Sequence, residues 1–558
     1  MKNSHDMTSR PNLAKASGTG AVVNKKPIYQ SYLPPCNGVC PAGENIQAWL
    51  AHVAKGDYKA AWEELVKNNP LPAVHGRVCY HPCETHCNRD KVDDSVSIHS
   101  VERFLGDLAL EKGWIPKVEN APTGKKILVV GAGPSGLSAA YHLARLGHEV
   151  EIRDAGPIAG GMIHFGIPAY RMPRDVLQNE INNIKNIGVK FTLNHKVDDL
   201  LAEKEAGGFD AAFVAVGAHI SKRIDIPTKE SGKILDAVSF LADSSTPKDK
   251  PLLGRKVAVY GGGNTAMDAA RTAARLGAAD TMIIYRRDRE SMPAHDFEAD
   301  EALEEGVKIN WLRTIKSMDD GEIKIEKMEL DENGVPQPTG EFETLAADHL
   351  ILALGQNIDS QLLSNAPDIK LKKDGTVVIN EHMMTGCAGI FAGGDMVPSE
   401  RTVTIATGHG KKAAFYIDAW LNDTTYTKAP KNPNADYEGL HLWFNTEAEQ
   451  RHQPAIPVDQ RANDFSEVIG GLTEKQAKYE AQRCYSCGNC FECDGCFGAC
   501  PEGAITKLGP GLGYEIDYEK CTGCSACVNQ CPCHAMDMVD ATSEPLNVQA
   551  ILGGSNHV

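Results

Sequence analysis

From Glu44 to Lys67 the apolar residues recur at helical spacing. Ile46, Trp49, Leu50 and Val53 form one stripe, Tyr58, Ala61, Trp62, Leu65 and Val66 a second, and Gly56-Asp57 breaks the run between them. The pattern predicts a small helical hairpin. Between 125 and about 425, short apolar runs of strand length alternate with longer helical patterns, which predicts a parallel α/β architecture. Two of those runs, Lys126-Ile127-Leu128-Val129-Val130 and Val257-Ala258-Val259-Tyr260, lead straight into glycine-rich turns, GAGPSG at 131–136 and GGGNTA at 261–266. The longest charge-free apolar stretch, Ile127 to Ala144, reaches the length of a membrane span, but Gly131, Gly133, Pro134 and Gly136 interrupt it, so it reads as strand, turn and helix. Residues 1–30 are polar and aperiodic and are expected to be a disordered tail. KAPKNPNADYEG at 428–439 reads as a linker ahead of a cysteine-rich end.

At 558 residues the chain is long enough for about four domains. Its formal net charge of −17 argues against nucleic acid or an anionic membrane as the main partner, since both repel an acidic surface. The N-terminus has no apolar core of a secretory signal, so a cytoplasmic, reducing compartment is expected, and disulfides are not. That matters because the 17 cysteines are clustered: five lie between Cys36 and Cys87, eleven between Cys484 and Cys533, and only Cys387 stands apart. In a reducing compartment this distribution points to metal ligation.

At the first turn, Gly131, Gly133 and Gly136 permit a tight turn, close approach of a pyrophosphate to backbone amides, and close helix–strand packing. The helix N-terminus that follows favours negative charge. A second strand ends at Asp154, 23 residues after Gly131, where an acid can bind an adenosine ribose hydroxyl. The second turn repeats this grammar with Gly261, Gly263 and Ala266, but its second strand, Met282 to Tyr285, ends in Arg286-Arg287. Paired guanidinium groups suit a 2′-phosphate through charge-assisted bonds, so NADPH is favoured over NADH; a plain solvated charge run is the alternative.

GAGPSGLSAAYHLARLGHEV, GGMIHFGIPAYRMP, GGGNTAMDAARTA, YRRDRESMPA and GIFAGGD, in that order, resemble the small, flavin-containing subunit of glutamate synthase. Similar motifs occur in the flavoprotein half of electron-bifurcating transhydrogenases and the N-terminal half of dihydropyrimidine dehydrogenase. Over residues 35–420 the resemblance implies FAD at the first site, held by Gly131, Gly133, Pro134, Gly136, Asp154, Gly161, Gly394, Asp395 and Thr404. It implies NADPH at the second, held by Gly261, Gly263, Asn264, Thr265, Ala266, Arg286 and Arg287. The implied fold is multidomain α/β: a helical iron–sulfur domain (31–118), an FAD domain in two pieces (119–235 and 385–425) with the NADPH domain (236–384) inserted, a linker segment (426–480), an α+β bacterial ferredoxin-like domain (481–545) and a tail (546–558). Asp395 ends a strand at glycines and suits the ribityl chain, and a helix starting near Thr402 to Thr404 would aim its positive end at the flavin. No redox dithiol follows the first glycine turn, so the electrons are expected to leave by another route than a disulfide.

Cys490, Cys493, Cys496 and Cys500-Pro501, and again Cys521, Cys524, Cys527 and Cys531-Pro532, are two complete bacterial ferredoxin runs. In such pairs the fourth cysteine serves the other cluster, which predicts one [4Fe–4S] centre on Cys490, Cys493, Cys496 and Cys531 and a second on Cys521, Cys524, Cys527 and Cys500. GRVCYHPCETHC and PPCNGVCPAG resemble the cysteine-rich domain of the same flavoprotein family, and the resemblance assigns Cys40, Cys79 and Cys83 with Glu102 to one cluster. Cys36 and Cys87 are left as half a site, because no CxxC pair lies upstream. EAQRCYSC at 480–487 resembles the missing element, so Cys484 and Cys487 are expected to complete a fourth cubane with Cys36 and Cys87, within one chain or across a dimer; unligated thiols are the alternative.

These readings describe an oxidoreductase that passes electrons between NADPH, FAD and [4Fe–4S] clusters to a ferredoxin or a larger catalytic subunit, with no nucleic acid or membrane partner. The alternatives are a dedicated subunit of a glutamate synthase, 2-oxoacid:acceptor or sulfite-reductase-type complex, and an electron wire without pyridine nucleotide turnover. No general base or nucleophile is required, because the chemistry belongs to the cofactors.

Overall fold

The computed structural model describes residues 23–542, apart from 223, 229–232, 245–250, 444 and 463. Residues 1–22 of the expected N-terminal tail, the tail at 546–558 and the last three residues of the expected ferredoxin-like domain lie outside the described residues. Two parallel five-stranded sheets form the centre. The first runs in the order Ile390–Ala392, Ala211–Val214, Lys126–Val130, Glu149–Arg153, Lys190–Thr192. The second runs Lys308–Asn310, Asp280–Ile284, Lys256–Tyr260, His349–Leu352, Ile234–Asp236. The strands that precede the glycine turns are central and buried on both faces, which is why KILVV and KVAVY read as unbroken apolar runs rather than alternating ones. Among the described residues no helix is long and apolar enough to cross a membrane.

Short strands at Ile220–Ser221 and Gln356–Asn357 pair antiparallel, so the chain enters and leaves the second sheet side by side. Beyond them Ile358, Leu362, Leu363 and Val377 are packed against Leu128, Val214 and Ile390 of the first sheet. The return therefore comes near 356 and not at 385 as expected, because these apolar side chains cover the second face of that sheet. A three-stranded antiparallel meander (Arg313–Asp319, Glu322–Leu330, Pro336–Ala346), not anticipated from the alternating α/β pattern, lays Ile315, Met318, Ile323 and Ile325 on Tyr260, Ile284 and Leu350.

The N-terminal helices Ile46–Lys55, Tyr58–Val66 and Ile98–Lys112 share one core of Trp49, Leu50, Trp62, Leu65, Val101 and Leu105. That core is completed from far away in sequence by Leu472, Ala477 and Ala481 of the helix Glu474–Gln482 and the turn before it. The expected linker at 426–480 is thus corrected: its end, from Leu472 on, folds into the N-terminal domain, because Leu472 in the turn and Ala477 on the helix are buried there. The expected tail is corrected too, since Lys25–Tyr29 pairs antiparallel with Met536–Asp540 and buries Ile28 and Tyr29.

The clamp between the two regions is ionic. Glu480 is fully buried and accepts from Ser97 N (3.0 Å), Arg451 N (2.6 Å) and Arg483 Nη1 (2.8 Å), while Arg483 also donates to the carbonyls of Asp94, Ser95 and Ala448. Removing one partner of such a network leaves the other charge buried and alone. Glu480→Ala is therefore expected to cost about 3–5 kcal/mol and to lower the thermal denaturation midpoint of the N-terminal domain; an unchanged midpoint would show that the clamp contributes nothing.

Candidate functional site

A cavity of about 1080 Å³ lies between the two parallel sheets and is lined by both glycine turns. The first turn tolerates only glycine: Gly131 has φ +107°, a Cβ there would meet Ala215 O at 2.3 Å, and one on Gly136 would meet Gly131 O at 1.9 Å. At Gly263 the added atom would instead meet nothing within 4 Å, and at Gly133 only Gly161 Cα at 4.0 Å, which leaves room beside the N-termini of the helices Pro134–Arg145 and Asn264–Arg275. Pro134 occupies the first helical position, where its missing N–H costs nothing. Beside it Ser135 Oγ is buried, its residue lines the cavity, and among the described residues it has no hydrogen-bond partner, which suits it to a ligand. Gly161 stands against Gly133, whose Cα a Cβ on Gly161 would meet at 2.8 Å.

Asp154 lines the same cavity, with one carboxylate oxygen on Ala132 N and the other on Gly156 N, both at 2.7 Å. These bonds fix its orientation and leave lone pairs for a hydroxyl donor. Gly394 and Asp395 face the cavity from the other side, and burial pushes the Asp395 carboxyl up to about 6. Asn264 and Thr265 line the end beside the second sheet; Asn264 accepts from His295 N at 3.0 Å and donates to Tyr80 Oη at 2.5 Å.

Six expected ligand residues lie outside the cavity lining: Gly136, Gly261, Ala266, Arg286, Arg287 and Thr404. Gly261 shapes the second turn, where a Cβ would meet Ala353 O at 2.2 Å, and Ala266 is buried in the core. Arg286 and Arg287 follow the strand Asp280–Ile284 outside the cavity lining; Arg286 is exposed, and Arg287 bonds the Tyr285 side chain while its buried Nε has no partner among the described residues. Thr404 is corrected from the flavin side to the opposite one. Thr402 and Val403 face the large cavity, whereas the buried Thr404 side chain bonds Cys79, because successive residues of a helix point about 100° apart.

Cys79 belongs to a small enclosed site with Cys40, Cys83 and Glu102. Its neighbours Val78 and Tyr80 line the large cavity, so a single residue separates the two sites. Glu44, which sequence reasoning missed, shares this enclosure: Asn69 Nδ2 donates to both Glu44 (2.9 Å) and Glu102 (2.8 Å). Burial, then the neighbouring Glu44, holds the Glu102 carboxyl well above the carboxylate range, and burial raises Glu44 to about 7. Arg171, also missed, lines the large cavity and donates to both oxygens of Asp268 at 2.9 Å and to Glu298 at 2.5 Å. Its signal was its place in the PAYRMP motif, which gave no partner.

The remaining cysteines gather in three groups. Cys490, Cys493, Cys496 and Cys531 lie in mutual electrostatic reach, and Cys500, Cys521, Cys524 and Cys527 line one small pocket. Cys36, Cys87, Cys484 and Cys487 meet within one chain. Cys533 lies beside Cys531, Sγ to Sγ 3.9 Å, and Cys387 packs against the first sheet's core. In each of the four groups a backbone N–H donates to sulfur: His81 to Cys79 (3.3 Å), Ser486 to Cys484 (3.4 Å), Ala504 to Cys500 and Ala535 to Cys531 (both 3.2 Å). Among the described residues, no cysteine belongs to a group of three ligand atoms within 4.8 Å of one another. A single tetrahedral zinc, with Zn–S about 2.3 Å, would need sulfurs roughly 3.8 Å apart. The wider spacing and the N–H···S bonds fit polynuclear iron–sulfur centres.

Comparisons with known proteins agree. A family model described as pyridine nucleotide-disulphide oxidoreductase matches residues 125–410. One described as dihydropyrimidine dehydrogenase domain II, 4Fe-4S cluster, matches 17–114, and a 4Fe-4S dicluster domain matches 489–535. Cys484 and Cys487 fall outside both iron–sulfur matches. The chain is 35% identical to the NADP(+)-dependent formate dehydrogenase subunit beta of Moorella thermoacetica, over 84% of this chain and 72% of that one. It is 33% identical to the NADPH-Fe(3+) oxidoreductase subunit beta of Geobacter sulfurreducens (85% and 78%) and 32% identical to the glutamate synthase [NADPH] small chain of Escherichia coli (70% and 89%).

The first glycine turn gives a direct test. A methyl group at Gly136 overpacks the turn at a cost of about 1–3 kcal/mol, so Gly136→Ala should lower flavin occupancy by roughly ten- to 100-fold, read as flavin absorbance per protein after gel filtration. Full occupancy would remove this turn from the site.

Proposed function

The chain belongs to the pyridine nucleotide-disulphide oxidoreductase family, and from that premise we propose how its residues carry electrons from NADPH to a partner protein. It is an oxidoreductase that uses FAD and NAD(P)H and carries 4Fe-4S domains at both ends. The observation that carries the proposal is the shared wall. One cavity joins both glycine turns, and Val78-Cys79-Tyr80 and Thr402-Val403-Thr404 each present residues to that cavity on one side and to the Cys40/Cys79/Cys83/Glu102 enclosure on the other.

When bound, NADPH and FAD supply hydride transfer from nicotinamide C4 to flavin N5, and the clusters supply one-electron steps. The protein's part is placement. Gly133 and Ser135 offer backbone amides, and Ser135 a hydroxyl, to the FAD pyrophosphate on a turn shaped by Gly131, Pro134 and Gly136, and Asp154 offers lone pairs to the ribose. Gly161, Gly394 and Asp395 border the flavin side, while Gly263, Asn264 and Thr265 border the nicotinamide side on a turn shaped by Gly261 and Ala266. Arg171, tied to Asp268 and Glu298, holds the two nucleotide regions at a fixed separation. Cys40, Cys79 and Cys83, with Glu102 as fourth ligand, take the centre nearest the flavin, and the two ferredoxin runs take the centres farthest along. Relatives are subunits of a formate dehydrogenase and an NADPH-Fe(3+) oxidoreductase. We place this chain in the same role, as the NADPH-oxidising subunit of a complex whose catalytic partner takes electrons from the ferredoxin end.

Arg286 and Arg287 are proposed to select the 2′-phosphate; their place just after Asp280–Ile284, the strand beside the one that leads into the second glycine turn, supports this. Loss of a charge-assisted contact costs about 1.5–3 kcal/mol, so Arg286→Ala with Arg287→Ala should raise KM for NADPH by ten- to 100-fold and leave that for NADH unchanged, measured as dye reduction. A wild-type preference for NADH would overturn the assignment.

A further inference from the structure

Cys36 and Cys87 stand near one end of the chain, Cys484 and Cys487 near the other, yet every pair among the four lies within electrostatic reach. We propose that these four cysteines bind one [4Fe–4S] cluster ligated from both ends of the chain, and that this cluster is the step between the flavin-side centre and the ferredoxin centres. The proposal rests on the reading of the chain as an iron–sulfur flavoprotein and adds a site and a route to it.

The loop that carries Cys484 and Cys487 is held against the N-terminal domain by a dense polar network. Arg89 Nη1 donates to Arg483 O at 2.7 Å, Gln47 Nε2 donates to Ser486 Oγ at 2.6 Å, and Asn88 Nδ2 donates to Cys487 Sγ at 3.4 Å. Arg89 also covers the ring of Tyr485 at 4.9 Å and pairs with Asp93, which in turn pairs with Arg483. These contacts fix the backbone, while the four sulfurs converge on one another. Cys484 Sγ accepts from Ser486 N (3.4 Å) and Cys487 Sγ from Asn88 Nδ2 (3.4 Å), donors suited to sulfurs that carry negative charge. An unligated set would place three thiols, Cys36, Cys87 and Cys484, against the apolar core of Trp49 and Leu50 with Cys487 beside them, and with no gain from their proximity.

The position is that of a relay. Cys83 of the flavin-side site lies within reach of Cys36, and Cys487 precedes Cys490 of the first ferredoxin site by three residues. Between them the backbone is continuous and pinned: Tyr32 N donates to Gly488 O (2.9 Å), Gly488 N to Cys533 O (2.6 Å), and Asn489 Nδ2 to Tyr32 O (3.1 Å). Without this centre, electrons would have to pass from the N-terminal domain to the ferredoxin runs across the whole Cys36–Cys487 contact in one step.

The test is iron and sulfide stoichiometry with EPR on the full-length chain, reconstituted anaerobically with ferrous iron and sulfide. Wild type should hold about 16 irons, four for each of four clusters. Cys484→Ala with Cys487→Ala should remove about four, Cys36→Ala with Cys87→Ala the same four, and all four changes together no more, since both pairs serve one centre. The EPR signals of the ferredoxin pair and the flavin content should persist in each variant. About 12 irons in wild type, full iron in either double variant, or additive loss in the quadruple variant would overturn the proposal while leaving the flavoprotein reading intact. Absence of flavin or of the ferredoxin signals in wild type would instead defeat that reading. If a variant loses flavin and folds poorly, the wild-type iron count decides alone.

Discussion

Two glycines on one helix set the distances on which the rest of the molecule depends. The helix Val403–Leu421 approaches the first nucleotide helix so closely that a Cβ on Gly410 would meet Ser135 O at 2.2 Å, and it approaches the Cys40 loop so closely that one on Gly408 would meet Pro41 O at 2.1 Å. No other residue fits at either crossing. The same helix sends Lys411 into the gap, where its ammonium donates to Ala42 O, Gly43 O and Asn68 Oδ1 and burial lowers it to about 8. A helix that touches the dinucleotide turn on one side and a cysteine loop on the other sets how far an electron must travel between them. Bulk at 408 or 410 would lengthen that path before it disturbed either site's own residues.

The second constraint is closure of the chain on itself. The first described strand pairs with the last, and Tyr29 places its hydroxyl 3.3 Å from Cys496 Sγ. Six residues farther along, the helix Pro35–Val39 begins and carries Cys36 to the loop after Glu474–Gln482. Neither end domain has a complete core alone: the N-terminal helices need Leu472, Ala477 and Ala481, and the C-terminal domain needs Tyr29. Long loops closed late are costly in chain entropy, and that cost is met here by buried charge pairs and cysteine sites rather than by apolar area alone.

What could be read from the sequence follows from range. Glycine turns, strand runs and the doubled ferredoxin spacing are local, written within about 30 residues, and Gly131, Gly136 and Asp154 stand where their spacing puts them. The partners of Arg171 and Glu480 are not local. Asp268 lies 97 residues from Arg171, and Ser97 lies 383 from Glu480, so neither pair leaves a periodic signal. Glu44 was overlooked for another reason: an acid beside a cysteine loop looks like surface until its burial is seen. The supposed linker misled because its prolines and asparagines precede a helix whose apolar face has no partner within its own neighbourhood. Thr404 shows the limit within one helix turn, where motif position alone gives no facing direction.

The joint between the two nucleotide regions uses a different physics from the helix crossing. Adjacent residues Tyr170 and Arg171 both dock onto the helix Asn264–Arg275 and its neighbour: Tyr170 lies under the Arg275 guanidinium at 3.7 Å, and Arg171 shares Nη1 between both oxygens of Asp268 while Nη2 donates to Glu298. Buried ion pairs of this kind rarely stabilise more than apolar packing of equal volume. A planar guanidinium whose two terminal nitrogens are each held by a different carboxylate has its orientation set by directed bonds, however, whereas apolar surfaces slide. Glu298, the third member, is raised to about 7 by burial, so its charge depends on Arg171 staying in place. The cavity between the two glycine turns is lined by Arg171 and Asp268 themselves, so the pair that fixes its width is also part of its wall. Hydride transfer demands reacting atoms about 3–3.5 Å apart, and a joint set by directed bonds meets that demand where a merely cohesive one would not.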